Sequence, residues 1–210
     1  MRRPLPSNLQ GADMLSWLKK WQEKRLLKKI KQYQLLRNHN QVTQEQINHE
    51  IKLLHMLSDF YHKNRKKKYY PYALQMQENA FRLAAQLGDV GSQLWLGQNL
   101  LNHARAREAC QPAEVLANAD NQKKMDDLYF QAHVYLEQAA KSSVEAQRML
   151  GLCSIHGWGK PMDRKKGFSL IVESINREDS WDKLPEIFSK IGLNKPEFLK
   201  ELIKFRTEGA

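Results

Sequence analysis

One helical-hairpin pattern constrains the fold of this chain more than any other feature. Its clearest copy occupies residues 132–159. Ser142 and Glu145 have the spacing of a capping box, which would begin the second helix of the hairpin. Gly157 and Gly159 would end that helix in a turn whose backbone needs glycine. The stretch therefore predicts two helices that are joined by a short turn and pack side by side.

A second copy of the pattern precedes this one, and a partial third copy follows near Gly167. Small residues recur in both full copies where two helices would cross closely. A helix pair that recurs along a chain is typical of a solenoid, in which each unit buries its apolar face only by stacking on its neighbours. The matching positions, 54 or 55 residues apart, are Ala84 and Ala139, Ala85 and Ala140, Gln93 and Gln147, Leu96 and Leu150, and Gly97 and Gly151.

The motif AxxxLxxAAxxxxxEAQxxLGxxxxxGxG, followed by Pro161, Asp163 and Lys166, resembles the Sel-one-like repeat, a relative of the tetratricopeptide repeat. The similarity covers roughly residues 72–193, and the first copy lacks the GxG ending. The resemblance implies a right-handed α-solenoid that acts as a protein–protein adaptor or scaffold, often in bacteria. It also implies a subunit of a larger assembly, with a membrane-associated or secretion complex as the expected setting.

We therefore expect an all-α fold, in which a right-handed α-solenoid of Sel-one-like hairpins lies between an N-terminal helical hairpin and a C-terminal capping helix. The long polar stretch inside the repeats is expected to be an insertion. The predicted segments are a flexible tail at residues 1–12, a basic hairpin at 13–68, the repeats at 69–193 with their insertion at 102–125, and a capping helix and tail at 194–210.

The net charge of the chain is +11, and all of the excess lies in the first third. Residues 1–70 hold 16 Lys and Arg but only 5 Asp and Glu, whereas the remainder holds 18 of each kind. A basic arm beside a neutral scaffold favours an anionic partner, which could be an acidic protein, a membrane surface or a nucleic acid. The alternative is a charged surface that only keeps the chain in solution.

The first long helix is predicted to begin at Asp13, a candidate N-cap, and to run to about Leu36. At about 100° per residue its apolar side chains fall into two clusters on opposite faces, and the face changes at Glu23. Either the helix breaks there, or one cluster packs inside while the other is left for a partner. The first cluster is Met14, Trp17, Leu18 and Trp21, and the second is Leu26, Ile30 and Tyr33.

Seven Lys and Arg lie among residues 19–31, against one Glu. Three interpretations stay open: a packed helix with a solvated basic face, an anchor on an acidic protein or an anionic membrane, or a salt-dependent contact with a nucleic-acid backbone. We take docking onto an acidic protein as the working hypothesis. The candidate partner-binding residues are Trp17, Lys20, Trp21, Lys24, Arg25, Lys28, Arg65, Lys66, Lys67 and Tyr72.

A capping box at Thr43 predicts the start of a second helix. The basic run at residues 63–68 that follows this helix is either an exposed linker or a weak match to a nuclear-import signal. Pro71 is predicted to start the first repeat helix, and the tyrosines around it either pack beneath that helix or face a peptide ligand. Packing is the commoner role of such aromatic residues.

Residues 102–125 are longer than a junction between repeats needs, and we expect a polar loop there, with a short helix from Pro112 to about Ala119. Because insertions in solenoids often gather on the binding face, this segment is either a partner contact or a mobile flap. Near the end of the chain, one apolar stripe is predicted for the final, capping helix. Its members are Phe198, Leu199, Leu202 and Ile203.

Two pairs of metal-binding residue types are candidates in the sequence: His103 and Cys110 share the insertion, and Cys153 and His156 lie three residues apart on a predicted helix. Cys153 and His156 could supply two ligands, but structural zinc usually takes four. We expect Cys153 to be a small core residue and His156 to end a helix. The sequence contains no GxxxxGK[ST] and no GxSxG motif. We therefore predict a non-enzymatic protein with no cofactor and no metal.

The sequence also bears on the compartment. Cys110 and Cys153 are widely separated and do not make a disulfide framework. The first residues carry charge but no apolar core of a signal peptide, and no run approaches the roughly 20 apolar residues of a spanning helix. We expect a reduced, cytoplasmic protein, with peripheral binding to the inner face of a membrane as a further alternative.

Overall fold

The computed structural model describes residues 11–39, 42–110, 118–193 and 195–208. The regular elements in these ranges are all helical, which confirms the predicted all-α class. A short 3₁₀ turn at Trp181–Lys183 leads into the eighth helix. The α-helices of the described ranges are α1 (Gly11–Asn38), α2 (Gln44–Asn64), α3 (Ala73–Gln86), α4 (Val90–Ala109), α5 (Ala119–Ala140), α6 (Val144–His156), α7 (Arg164–Glu178), α8 (Leu184–Ile191) and α9 (Pro196–Glu208).

The chain divides into two compact units, Met1–Asp89 (unit 1) and Val90–Ala210 (unit 2). Unit 1 contains α1, α2 and α3, and unit 2 contains α4 to α9. This division and the predicted one, between residues 68 and 69, differ in where they place α3. The two helices of the predicted first repeat belong to different units, because α3 is grouped with the basic hairpin and α4 with the later helices.

In unit 1, α1 and α2 form an antiparallel hairpin around a shared apolar core. Near the start of α1, Lys19 Nζ donates to Asn64 Oδ1 at the end of α2 over 2.7 Å. Near the end of α1, Arg37 pairs with Glu50 early in α2. The predicted capping box at Thr43 is confirmed, with both of its hydrogen bonds formed. The buried apolar side chains of the hairpin are Leu26, Ile30, Leu53, Leu54, Leu57, Phe60 and Tyr61.

Helix α1 is continuous, so no break occurs at Glu23. Leu26 and Ile30, from the second apolar cluster, are buried in the unit 1 core. Leu18 and Trp21, from the first cluster, are exposed. Of the two predicted arrangements, the helix therefore adopts the one in which a single cluster packs inside.

Two predicted helix starts are wrong by one or two residues. Helix α1 already includes Gly11, so Asp13 is not its N-cap, and the predicted tail cannot extend to residue 12. The rest of that tail lies outside the described residues. Helix α6 is capped by Ser143, whose side chain accepts from the N–H of Ala146 over 3.2 Å. Ser142 precedes the cap and lies in the turn between α5 and α6, where its backbone N–H bonds to the carbonyl oxygen of Ala139.

In unit 2, the predicted small residues lie where helices cross closely. A methyl group added at Gly97 of α4 would be 2.6 Å from Cγ of Leu136 in α5. One added at Gly151 of α6 would be 2.7 Å from the carbonyl oxygen of Gly167 in α7. Real Cβ atoms essentially never come this close to another atom, so a side chain at either glycine would force its neighbour to shift. The predicted close approach at both Leu-Gly pairs is confirmed.

The predicted insertion at residues 102–125 is mostly helical where the structure describes it, so the loop prediction is wrong there. Helices α4 and α5 extend into it from both sides. The physical reason is burial: Ala104 and Met125 lie inside the apolar core that the two helices share. The short helix predicted from Pro112 falls largely within residues 111–117, which lie outside the described residues.

The last helix, α9, contributes less of its predicted stripe to the core than expected. Leu202 is fully buried and Phe198 partly buried, but Leu199 and Ile203 are exposed. The prediction is wrong for these two residues. Because successive side chains rotate by about 100°, Leu199 and Ile203 lie one step round the helix from the inward face. That face continues instead at Phe205.

Candidate functional site

The outward face of α1 exposes large apolar side chains. Met14, Leu18 and Trp21 lie on the side away from the buried Leu26 and Ile30. Their spacings of four and three residues place them on one stripe of the helix. Trp21, the largest of the three, is 50% exposed. Contiguous exposed apolar side chains of this size are typical of a surface that binds another molecule. The predicted residue Trp17 is partly buried beside them.

The positive charges of α1 divide by the face they occupy. The two inward cations have partners, since Lys19 donates to Asn64 and Arg37 pairs with Glu50. Arg25 lies on the outward face with its guanidinium 5.5 Å from the ring centroid of Trp21, a cation–π arrangement. The outward cations are exposed and form no ion pair with any described residue; they are Lys20, Lys24, Arg25, Lys28, Lys29 and Lys31.

Glu23, the single acid in this basic stretch, is held inside unit 1. The hydroxyl of Tyr61 donates to its Oε1 over 2.7 Å, and the hydroxyl of Tyr70 donates to its Oε2 over 3.1 Å. Burial, reinforced by the carboxylate of Glu23, raises the pKa of both phenols above the usual range. Both tyrosines remain hydrogen-bond donors at neutral pH. The carboxylate of Glu23 accepts from them rather than from the neighbouring lysines.

A groove of about 280 Å³ opens between α1 and the start of α3. Lys20 and Lys24 form its basic wall on α1. The facing wall consists of the segment before α3 and the first turn of that helix, and Tyr72 there is 68% exposed. Pro71 lies in this segment, two residues before the start of α3, so the prediction that it opens the helix is wrong. The lining residues are Lys20, Glu23, Lys24, Tyr61, Tyr69, Tyr70, Pro71, Tyr72, Ala73 and Met76.

The structure brings three of the predicted binding residues, Lys20, Lys24 and Tyr72, into this groove. The others lie elsewhere on unit 1. The exposed Arg65 has its Nη1 3.3 Å from Nδ1 of His62 in the preceding turn. Lys66 and Lys67, in the turn between α2 and α3, are also exposed. Trp17, Trp21, Arg25 and Lys28 belong to the outward face of α1, outside the groove lining.

Sequence reasoning missed most of the groove's floor. Tyr70 is buried against Phe60, with ring centroids 5.4 Å apart, whereas Tyr69 is only partly covered and Tyr72 is exposed. Of the three tyrosines, Tyr70 therefore packs beneath the helix, which was the role expected to be commoner, while Tyr72 is exposed. The sequence signal for the floor was Glu23, the single acid among the cations of residues 19–31, whose carboxylate accepts hydrogen bonds from two of the floor tyrosines.

Cys153 and His156, the pair of metal-binding residue types in the sequence, lie in different surroundings. Cys153 is buried, as predicted, and burial raises the pKa of its thiol to about 12. His156 ends α6, as predicted, and its ring stacks on Trp158 with centroids 4.5 Å apart. Within the described ranges, no group of three or more His, Cys, Asp or Glu side chains could hold a metal ion.

Comparison with known proteins adds no family: no family model matches the chain, and no curated protein matches it. Within the part of the chain that the structure describes, no helix is both long and apolar enough to cross a membrane.

Proposed function

We propose that this protein is a non-enzymatic adaptor whose basic first helix docks onto an acidic partner protein. One observation carries the proposal. The inward cations of α1 are partnered inside unit 1, while its outward cations form no ion pair with the described residues and share the helix face with the exposed Trp21. An exposed aromatic residue surrounded by unpaired charge resembles the hot spots of protein interfaces, in which aromatic and arginine side chains dominate. Charge complementarity would speed encounter with an acidic surface.

We further propose that unit 2 is a right-handed solenoid of Sel-one-like hairpins and serves as the scaffold of the adaptor. Gly97 and Gly151, 54 residues apart in the two copies of the motif, both allow a close crossing with the next helix. Equivalent crossings at equivalent positions are what a repeat architecture requires. The resemblance suggests a subunit of a larger bacterial assembly, such as a secretion complex, as the setting.

An anionic membrane surface is the first alternative partner, and the arrangement of α1 argues against it. A helix that lies in the lipid interface keeps its apolar and charged side chains on different faces. In α1, Trp21, Lys24 and Lys28 share the outward face, so burying the tryptophan in lipid would draw the lysine heads toward the apolar layer. A protein surface with separate apolar and acidic patches can contact the tryptophan and the lysines at the same time.

A nucleic acid is the second alternative partner. Backbone binding would use the same free cations, and its affinity would fall steeply with salt. It would leave the exposed Met14, Leu18 and Trp21 without a role, because phosphate contacts are polar. An acidic protein uses both kinds of side chain, which is why we favour it.

We predict that reversing four outward charges will abolish capture of the partner. The variant Lys20→Glu, Lys24→Glu, Arg25→Glu, Lys28→Glu lowers the net charge from +11 to +3, since each reversal removes two charges. The wild-type chain, used as bait in a lysate of its native cell, should enrich at least one acidic protein. Affinity of that purified protein for the variant should fall about thirtyfold or more, equivalent to about 2 kcal/mol.

A control variant places the same charge change on unit 2, at four exposed lysines: Lys123→Glu, Lys141→Glu, Lys165→Glu and Lys200→Glu. It should capture the same protein as the wild type. Capture that survives the α1 reversals would contradict the proposal. So would capture that nuclease treatment removes, or selective binding of phosphatidylserine vesicles with no captured protein.

A further inference from the structure

The groove between α1 and α3 offers two kinds of chemistry on facing walls. On one wall, Lys20 and Lys24 are one helical turn apart, exposed and without an ion pair among the described residues. On the other, Pro71, Tyr72 and Met76 present an aromatic and apolar surface, and all three are exposed. A ligand that spans the groove would therefore contact ammonium groups on one side and apolar surface on the other.

The floor of the groove is fixed before any ligand arrives. The carboxylate of Glu23 accepts from the hydroxyls of Tyr61 and Tyr70, which ties α1 to α2 and to the segment before α3. The ring of Tyr70 also meets those of Phe60 and Tyr69 edge-on, with centroids 5.4 and 5.1 Å away. A site that is already ordered loses less conformational entropy on binding, which favours affinity.

From these walls we infer that the groove holds an extended segment of the acidic partner, in which a carboxylate side chain lies beside an aromatic or large aliphatic one. The inference rests on the proposed function and specifies its ligand. The volume of about 280 Å³ is below the range of pockets that enclose a whole small molecule, but it suits one large side chain and the charged group next to it. The carboxylate would pair with Lys20 and Lys24, and the apolar side chain would pack on Tyr72 and Met76.

The probe is a fluorescein-labelled peptide, GDEDWLDEDG, whose binding to the full chain is followed by fluorescence anisotropy at low salt. Two control peptides separate the two walls: GDEDSSDEDG keeps the charges without the apolar pair, and GNQNWLNQNG keeps the apolar pair without the charges. We expect the probe to bind at least tenfold more tightly than either control peptide, because each control lacks the side chains that would contact one of the two walls.

Two groove variants test the walls separately. We expect the pair Lys20→Glu and Lys24→Glu to weaken probe binding at least tenfold, and Tyr72→Ala to weaken it about fivefold or more. The matched controls are Lys123→Glu with Lys141→Glu, and Phe130→Ala, which change residues of unit 2 that are also exposed. Both should bind the probe within about twofold of the wild type. Far-UV circular dichroism verifies that each variant keeps its helices.

The outcomes separate this inference from the proposed function. Unchanged probe affinity in both groove variants overturns the inference, and so does equal binding of the peptide that lacks the apolar pair. Absence of probe binding to the wild type overturns it too. Phosphatidylserine vesicles and duplex DNA serve as competitors. If either displaces the probe when its concentration of negative charges is below that of the peptide, the groove binds lipid or nucleic acid instead. In each case the adaptor proposal is judged by the captured partner, whose binding also depends on Arg25 and Lys28 outside the groove.

Discussion

Replacing Arg37 with methionine is expected to lower the free energy of unfolding of unit 1 by about 2–3 kcal/mol near neutral pH. Glu50 has no exposed surface, and Arg37 is the cation that compensates its charge. Nη2 of Arg37 donates to Oε1 of Glu50 over 3.2 Å, and Nε lies 3.2 Å from Oε2. Without the guanidinium, an ionised carboxylate would remain buried with no opposite charge beside it.

The loss of stability in the Arg37→Met variant should increase as pH rises. Burial already raises the pKa of Glu50 above its ordinary value of 4.5, and the charge of Arg37 opposes that rise. Removing Arg37 therefore raises the pKa further. The pKa of Glu50 is then higher in the folded variant than in the unfolded chain. Between these two pKa values the folded variant binds more protons than the unfolded chain, so its stability falls as pH rises. The variant should be little destabilised near pH 4.5 and most destabilised above its folded pKa.

Urea unfolding followed by far-UV circular dichroism, at about pH 5 and about pH 8, measures both effects. The double variant Arg37→Met, Glu50→Gln serves as the control, because it removes both charges together. It should recover most of the lost stability at the higher pH and show a weaker pH dependence. A loss in Arg37→Met that is the same at both pH values would refute the account, since lost packing of the long arginine side chain would then explain it.

The helices themselves were predictable because their signals are local. Thr43 caps α2 as expected, since a short polar side chain needs only the next three residues to accept a backbone N–H. Gly157 and Gly159 adopt the left-handed backbone expected at the end of α6. The close approach at Gly151 was also visible, because a small residue recurs at the same place in the repeated motif.

The groove between α1 and α3 could not be predicted, because its walls lie far apart in the sequence. Lys20 and Tyr72 become neighbours only once α2 has carried the chain back past α1. The sequence shows equal charges at Lys19 and Lys20, and only the packed hairpin reveals that Lys19 bonds to Asn64 while Lys20 is exposed on the groove wall. In the same way, the extension of α4 and α5 into the polar stretch depends on burial of Met125 in the unit 2 core, which composition conceals.

Gly159→Ala is expected to lower the free energy of unfolding of unit 2 by about 3–4 kcal/mol, whereas Gly192→Ala should lower it by only about 1–2 kcal/mol. The two glycines have almost the same left-handed backbone, with φ of +83° and +77°. They differ in their surroundings. A methyl group at Gly192 would meet nothing within 4 Å, whereas one at Gly159 would press against the carbonyl oxygen of Tyr129 and lie 2.9 Å from Cβ of His133.

The difference between the two variants therefore isolates the contact of the turn after α6 with α5. Relief of the clash would have to move that turn away from α5, and with it Trp158, which stacks on Tyr129 with ring centroids 5.5 Å apart. We expect Gly159→Ala to show both a lower urea midpoint by circular dichroism and a more solvent-exposed tryptophan by fluorescence, while Gly192→Ala changes the fluorescence little. Equal losses of stability in the two variants would mean that backbone conformation alone, rather than docking against α5, requires glycine at position 159.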